Sequence, residues 1–216
     1  MDIGIIGAGT VAQAFAHKAI NAGHSIVFSN SRGPDTLGDV VAKAGSQASA
    51  APIATAAQKS VVLLAVPWPN VEAALHEVPA WSGQILIDAT NAFADGTPDG
   101  GLVDFGDGSS SEHVASLAPA ARVVKAMSSL FMTHFADEPM DGSFRRVVFV
   151  SGDDPAARGT VADLFETFGF APVDLGILSD GGRIQAVGGP IAGHDFHLAW
   201  PAPRTFPAIN GQGSES

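Results

Sequence analysis

Gly7-Ala8-Gly9-Thr10-Val11-Ala12 joins a short apolar run, Ile3-Gly4-Ile5-Ile6, to a stretch in which Val11, Phe15 and Ala19 recur at helical spacing. Glycines so placed between a strand and a helix have separate uses. Gly7 permits the tight turn, Gly9 lets the backbone approach a pyrophosphate with no Cβ in the way, and Ala12 lets the helix pack closely on the strand. The first turn of the helix then offers unpaired N–H groups and the positive end of its dipole to an anion. The spacing predicts a βαβ unit that binds a dinucleotide through Gly7, Gly9, Thr10, Val11 and Ala12.

The end of the next strand, Ser25–Ser29, selects the dinucleotide. An acidic residue there would bind ribose hydroxyls and repel a 2′-phosphate. This chain has Asn30-Ser31-Arg32-Gly33 instead. Asn30 and Ser31 can hydrogen-bond phosphate oxygens, and Arg32 can pair with them or stack on adenine. NADP is therefore expected over NAD, against the plainer alternative of a polar turn with a solvated arginine. Two later segments suit the same crevice, because open α/β sheets bind ligands at the carboxyl ends of their strands. Ala65-Val66-Pro67 ends one strand and Asp88-Ala89-Thr90-Asn91 another, so Ala65, Val66, Pro67, Ala89 and Asn91 complete the expected cofactor site. Trp68 reads equally as a packing residue or a ligand contact.

Strand and helix signals alternate along most of the chain: a helix from Pro34 to Ala44, a strand over Val61–Val66, a helix over Val71–Glu77, then strands at Ile85–Asp88 and Arg122–Ala126. Asp95–Ser111 is the clearest loop, followed by a short helix to Leu117. Such alternation predicts an α/β, Rossmann-type, doubly wound and mostly parallel sheet. Residues 1–127 would form the NADP-binding part. Residues 128–216 would form a small C-terminal α/β extension completing the acceptor site, with a strand at Arg146–Ser151, a helix over Pro155–Phe168, a strand at Ala171–Leu175, and a terminal helix within Gly181–His197. A mobile Pro/Gly/Ser-rich tail is expected from about residue 201.

With a formal charge of −11 over 216 residues, neither nucleic acid nor an anionic membrane is an expected partner. The absence of cysteine excludes disulfides, thiolate metal sites and thiol nucleophiles. Met1 runs almost at once into a strand-like segment, and no apolar run approaches the about 20 residues needed to span a bilayer. The expectation is a soluble, cytoplasmic protein.

Taken together, Gly4–Ala12, Ala22-Gly23-His24, Ser29–Pro34, Leu64–Trp68, Asp88–Asn91, Val123–Ala126 and Asp174-Leu175-Gly176 with Gly181-Gly182-Arg183 resemble the NADP-dependent reductases of the deazaflavin coenzyme F420, over about residues 2–200. The early motifs are shared with other NADP-binding families, including the cytosolic domains of metalloreductases. Where the family pattern leads us to expect an aromatic residue and an asparagine after Val-Val-Lys-Ala, this chain has Met127-Ser128-Ser129. The resemblance implies hydride transfer between NADP(H) and a flat, flavin-like small-molecule acceptor, in a homodimer whose interface would involve the apolar Gly181–Trp200 segment. Such transfer needs stacked rings and exclusion of water more than an acid–base dyad, and no such dyad is apparent. Two other functions are compatible with the first half of the chain. One is a β-hydroxyacid dehydrogenase or imine reductase, which would need a long helical C-terminal domain. The other is a redox-inactive NADPH sensor.

No metal site is expected. His194, Asp195 and His197 would put two histidines on one helical face, too few for a centre. Asp154 before Pro155 reads as a helix cap, Lys125 as either a crevice contact or a buried ion pair, and Arg145-Arg146 as solvated.

Overall fold

The computed structural model describes residues 1–201, so the expected tail lies outside the described residues apart from Pro201. In chain order the elements are β1 (Asp2–Ile6), α1 (Thr10–Asn21), β2 (Ser25–Ser29), α2 (Gly38–Ala44), β3 (Ala48–Ala50), α3 (Ile53–Ala56), β4 (Val61–Leu64), α4 (Val71–His76) and β5 (Ile85–Asp88). They continue with α5 (Ser110–Leu117), β6 (Arg122–Ala126), α6 (Met132–Ala136), β7 (Met140–Asp141), β8 (Phe144–Gly152), α7 (Pro155–Thr167), β9 (Ala171–Asp174), α8 (Arg183–Gln185) and β10 (His197–Ala199).

The sheet runs β3-β2-β1-β4-β5-β6-β8-β10, parallel from β3 to β6. β8 then joins β6 antiparallel, and pairs parallel with β9. The α/β, mostly parallel, doubly wound class is the one expected. Continuous apolar runs form these strands because both faces are covered. Ile3, Ile5, Leu63 and Ile87 enter the core beneath α1, α6 and α7, while Ile6, Leu64 and Leu86 enter the core beneath α3, α4 and α5.

Register positions the site. Ile6 lies opposite Ser29 on one side and Leu64 on the other, so the turns leaving β1, β2 and β4 emerge side by side. The chain passes from β1 to β2 in one direction and returns across β1 to reach β4 in the other. That reversal is where an open α/β sheet leaves a crevice.

Three expectations are corrected. The terminal helix over 181–197 is not formed: a π-helical turn at Leu178–Gly182 leads to the three-residue α8, then turns, then β10. Gly188, Gly189, Pro190 and Gly193 break the helix, with Gly188 and Gly193 at φ +85° and +79°. His194 and His197 therefore share no helical face. Arg146 is not solvated but buried, its guanidinium paired with Asp195. The strand expected to reach Val66 stops at Leu64, where the chain turns into Pro67-Trp68-Pro69. The short β3 and α3 had no periodic signal in the sequence.

Candidate functional site

The Gly7 turn is locked by its neighbours. Gly7 has φ +122°, and a Cβ there would lie 2.1 Å from the Ala65 carbonyl oxygen. Only glycine lets the turns after β1 and β4 approach this closely. At Gly9 the situation is opposite: a Cβ would meet nothing within 4 Å, so the chain there borders open space. Gly9 caps α1 without any side-chain hydrogen bond to the first-turn amides. Thr10, Val11 and Ala12 thus begin a 12-residue helix with their N–H groups available. Gln13 donates to Ala8 O at 2.9 Å and fixes the turn from behind.

A cleft of about 420 Å³ opens beside this turn, lined by Gly7, Gly9, Asn30, Ser31, Ala65, Val66 and Pro67 together with Ile53, Asn70, Ala73 and Glu77. The four last residues were not singled out from sequence, since no spacing rule ties α3 and α4 to the glycine turn. Asn30 shapes the rim: its Oδ1 accepts from Arg32 N at 3.0 Å, and its Nδ2 donates to Thr36 Oγ1 at 3.0 Å. Arg32 is exposed on the same rim and does not line the cleft. Thr10 borders a separate hollow with Gln13 and His17, and Ala12 is fully buried against the sheet.

On the other side of the first turn of α1 lies a second cavity, of about 380 Å³. Val11, Ala89 and Asn91 form one wall, Met127 to Met132 another, and Val187, Gly188, Ala192 and Gly193 the roof. Asn91 Oδ1 is buried there without a hydrogen-bond partner among the described residues. Met127 is the one non-glycine residue with positive φ among those described, at +68°. That kink turns the chain out of β6 into the cavity wall.

At the ends of β5 and β6, next to the second cavity's Ala89 and Met127, sits a charged pair. Lys125 and Asp88, side chains 1% and 0% exposed, meet at 3.1 Å. Lys125 also donates to Thr90 O at 2.6 Å, and Asp88 accepts from Thr90 N, Thr90 Oγ1 and Ser111 Oγ. Burial alone would raise the Asp88 pKa. The Lys125 charge and the hydrogen bonds from Ser111 and Thr90 outweigh it and hold the carboxyl below its ordinary value. Of the two readings of Lys125, the structure selects the ion pair. Trp68 likewise packs, edge-on to Phe105 at 5.4 Å and against His113 at 5.8 Å. Asp154 caps α7 by accepting from Ala157 N at 2.9 Å. Among the described residues, no group of three or more His, Asp or Glu side chains is placed to hold a metal ion, and no helix is long and apolar enough to cross a membrane.

The profile of the family described as NADP oxidoreductase, coenzyme F420-dependent, matches residues 2–92. A hypothetical protein from Sinorhizobium meliloti, SMa0349, has a solved structure that is 38% identical, with a TM-score of 0.84 over 91% of this chain and 95% of that one. A structure from Arthrobacter sp. FB24, described as a "putative F420 dependent NADP-reductase", is 26% identical, with a TM-score of 0.73 over 91% of this chain and 99% of that one. Metalloreductase STEAP3 of Rattus norvegicus is 28% identical over 187 residues, or 86% of this chain. The match spans only 36% of STEAP3, and 35% of a second metalloreductase from mouse. With the glycine turn, the crevice and these likenesses in agreement, the chain belongs to the NADP oxidoreductase, coenzyme F420-dependent family.

Proposed function

We propose that this protein is an NADPH-dependent oxidoreductase that passes a hydride between NADP(H) and a flat, flavin-like ring, the deazaflavin coenzyme F420 or a relative of it. The observation that carries the reading is the pairing of two cavities across one helix terminus. One is a cleft floored by Gly7 and Gly9, and the other is a mostly apolar pocket lined in part by Asn91, whose buried Oδ1 has no hydrogen-bond partner among the described residues. The residues fit the cofactor. The space over Gly9 and the uncapped amides of Thr10 and Val11 suit a pyrophosphate, Ala65 to Pro67 and Ile53 suit the adenosine half, and Ser31 and Arg32 suit a 2′-phosphate. Asn91 lines the apolar pocket, and a turn of its side chain would present its buried Oδ1 as an acceptor for an amide N–H, which a nicotinamide carboxamide possesses.

When bound, NADPH supplies a two-electron hydride at its nicotinamide ring. The protein's own part is to bind, orient and exclude water. Val11, Ala89, Met127 and Leu130 offer flat apolar contact, and a dry pocket keeps two rings at transfer distance. No acid–base pair is required of the chain. Residues 1–127 carry the cofactor in this reading, and residues 128–201 close the acceptor side. Exposed Ile184, Phe196 and Leu198 support a homodimer formed through the 181–200 segment, and the cytoplasm supplies the NADPH.

The test is loss of NADPH absorbance with deazaflavin, FMN or FAD as acceptor. No oxidation with any of the three would sink the proposal. Arg32→Ala is expected to weaken NADPH about 10- to 100-fold, the value of a hydrogen bond to a charged group, and to leave NADH binding unchanged. Equal weakening of both would remove Arg32 from the 2′-phosphate site.

A further inference from the structure

We propose that Arg146 and Asp195 form a clasp that sets the width of the acceptor pocket, making both positioning residues for hydride transfer; the inference rests on the acceptor reading above. The roof of that pocket, Val187 to Gly193, belongs to no regular element. Between Ala186 and His194 the backbone hydrogen bonds are internal except near the two ends, where Ala186 N donates to Gly182 O at 3.1 Å and Gly193 N donates to Ser129 O at 2.7 Å. Glycines at 188, 189 and 193 leave the segment free to adopt other conformations. Its position is therefore set at its two ends.

At the first end, fully buried Gln185 meets the Ser151 hydroxyl at 2.7 Å, and its carbonyl accepts from Ser128 Oγ at 3.2 Å. At the second end, Asp195 takes both arms of one guanidinium: Arg146 Nε to Oδ1 at 2.8 Å and Nη2 to Oδ2 at 3.2 Å. The third nitrogen of the same group, Nη1, donates to His134 O at 2.6 Å and more weakly to Glu138 O at 3.4 Å. His134 lies in α6, two residues after the wall residue Met132, which begins that helix. A single buried arginine thus ties the roof, through Asp195, to the opposite wall, through α6. The guanidinium is planar and rigid, so it holds both parts at a fixed separation. Phe131 at the mouth would touch a Cβ on Gly193 at 3.5 Å, so the two sides are already in contact range. Neither Arg146 nor Asp195 lines the pocket. Their effect on a reaction passes through the roof and wall.

The experiment compares wild type, Asp195→Asn and Asp195→Glu. It measures the acceptor KM, the hydride-transfer rate, the NADPH Kd by fluorescence, and amide hydrogen exchange over 187–194. We expect Asp195→Asn to raise the acceptor KM, to slow transfer by up to about 100-fold, the cost of a misplacement near 1 Å, and to speed exchange at 187–194. NADPH affinity and exchange in α1 and α7 should not change. Asp195→Glu keeps the charge pair and should recover part of the loss. Unaltered exchange at 187–194 in Asp195→Asn overturns the clasp, as does a loss shared equally by NADPH affinity. Should Asp195→Asn not fold, Arg146→Lys, which keeps the charge but not the fork, is read by the same exchange measurement. If wild type reduces no flavin at all, the acceptor reading fails, while the exchange comparison still decides whether the clasp exists.

Discussion

At the scale of single residues, Gly7 and Gly9 answer to different constraints although they sit two positions apart. A Cβ at Gly7 would collide with the Ala65 carbonyl at a φ that side chains rarely adopt. Gly7→Ala is therefore expected to cost at least about 2 kcal/mol in denaturant melts, combining strain and overpacking. Gly9→Ala places its methyl in open space, so stability should stay within about 0.5 kcal/mol of wild type. NADPH affinity should nonetheless fall, because that space is what the pyrophosphate needs. Full NADPH affinity in Gly9→Ala would remove the phosphates from this turn. Asn91→Leu makes a complementary test. It removes a buried oxygen that has no hydrogen-bond partner among the described residues, so stability should hold while hydride transfer slows. A stability loss with intact transfer would make Asn91 a structural residue.

At the scale of elements, the buried Lys125–Asp88 pair joins β6, β5 and α5 through Thr90 and Ser111. Lys125→Met leaves a carboxylate buried without its counter-charge, at an expected cost of about 3–5 kcal/mol. The pH dependence follows from the direction of the Asp88 shift. A carboxyl whose folded pKa lies below its unfolded value contributes stability that is present above the unfolded pKa, and loses it as pH falls through the folded one. Asp88 should thus add a destabilising limb on the acid side of its ordinary value of 3.8. Acid melts of Asp88→Asn should lack that limb; if they keep it, another carboxyl is responsible. Two acidic residues in the sequence proved to have unlike duties. Asp154 was legible as a cap from its place before Pro155, because capping is local. Asp195 was not legible as a partner of Arg146, because nothing in a sequence marks two charges 49 residues apart as neighbours.

At the scale of the molecule, the C-terminal part shares the sheet and core of the N-terminal part. Phe15 of α1 packs edge-on to Phe165 and Phe168, at 6.3 and 5.5 Å. Phe165→Ala should cost about 3–5 kcal/mol and lower one cooperative transition as a whole. Two separate transitions would instead show that residues 1–127 fold independently. The sequence alone determined the strand-and-helix alternation, the glycine turn and the polar Asn30-Ser31-Arg32 rim, and with them the fold class and the expectation of NADP. Those features are local: apolar periodicity, backbone freedom and helix-end chemistry act over a few residues. Tertiary structure alone decided that Lys125 pairs with Asp88, that Arg146 is buried, that the 186–194 segment roofs a pocket instead of forming a helix, and that α3 and α4 wall the cleft. Each of these depends on which distant segments the sheet brings together, and strand order is set by burial across the whole chain, not by any stretch of it.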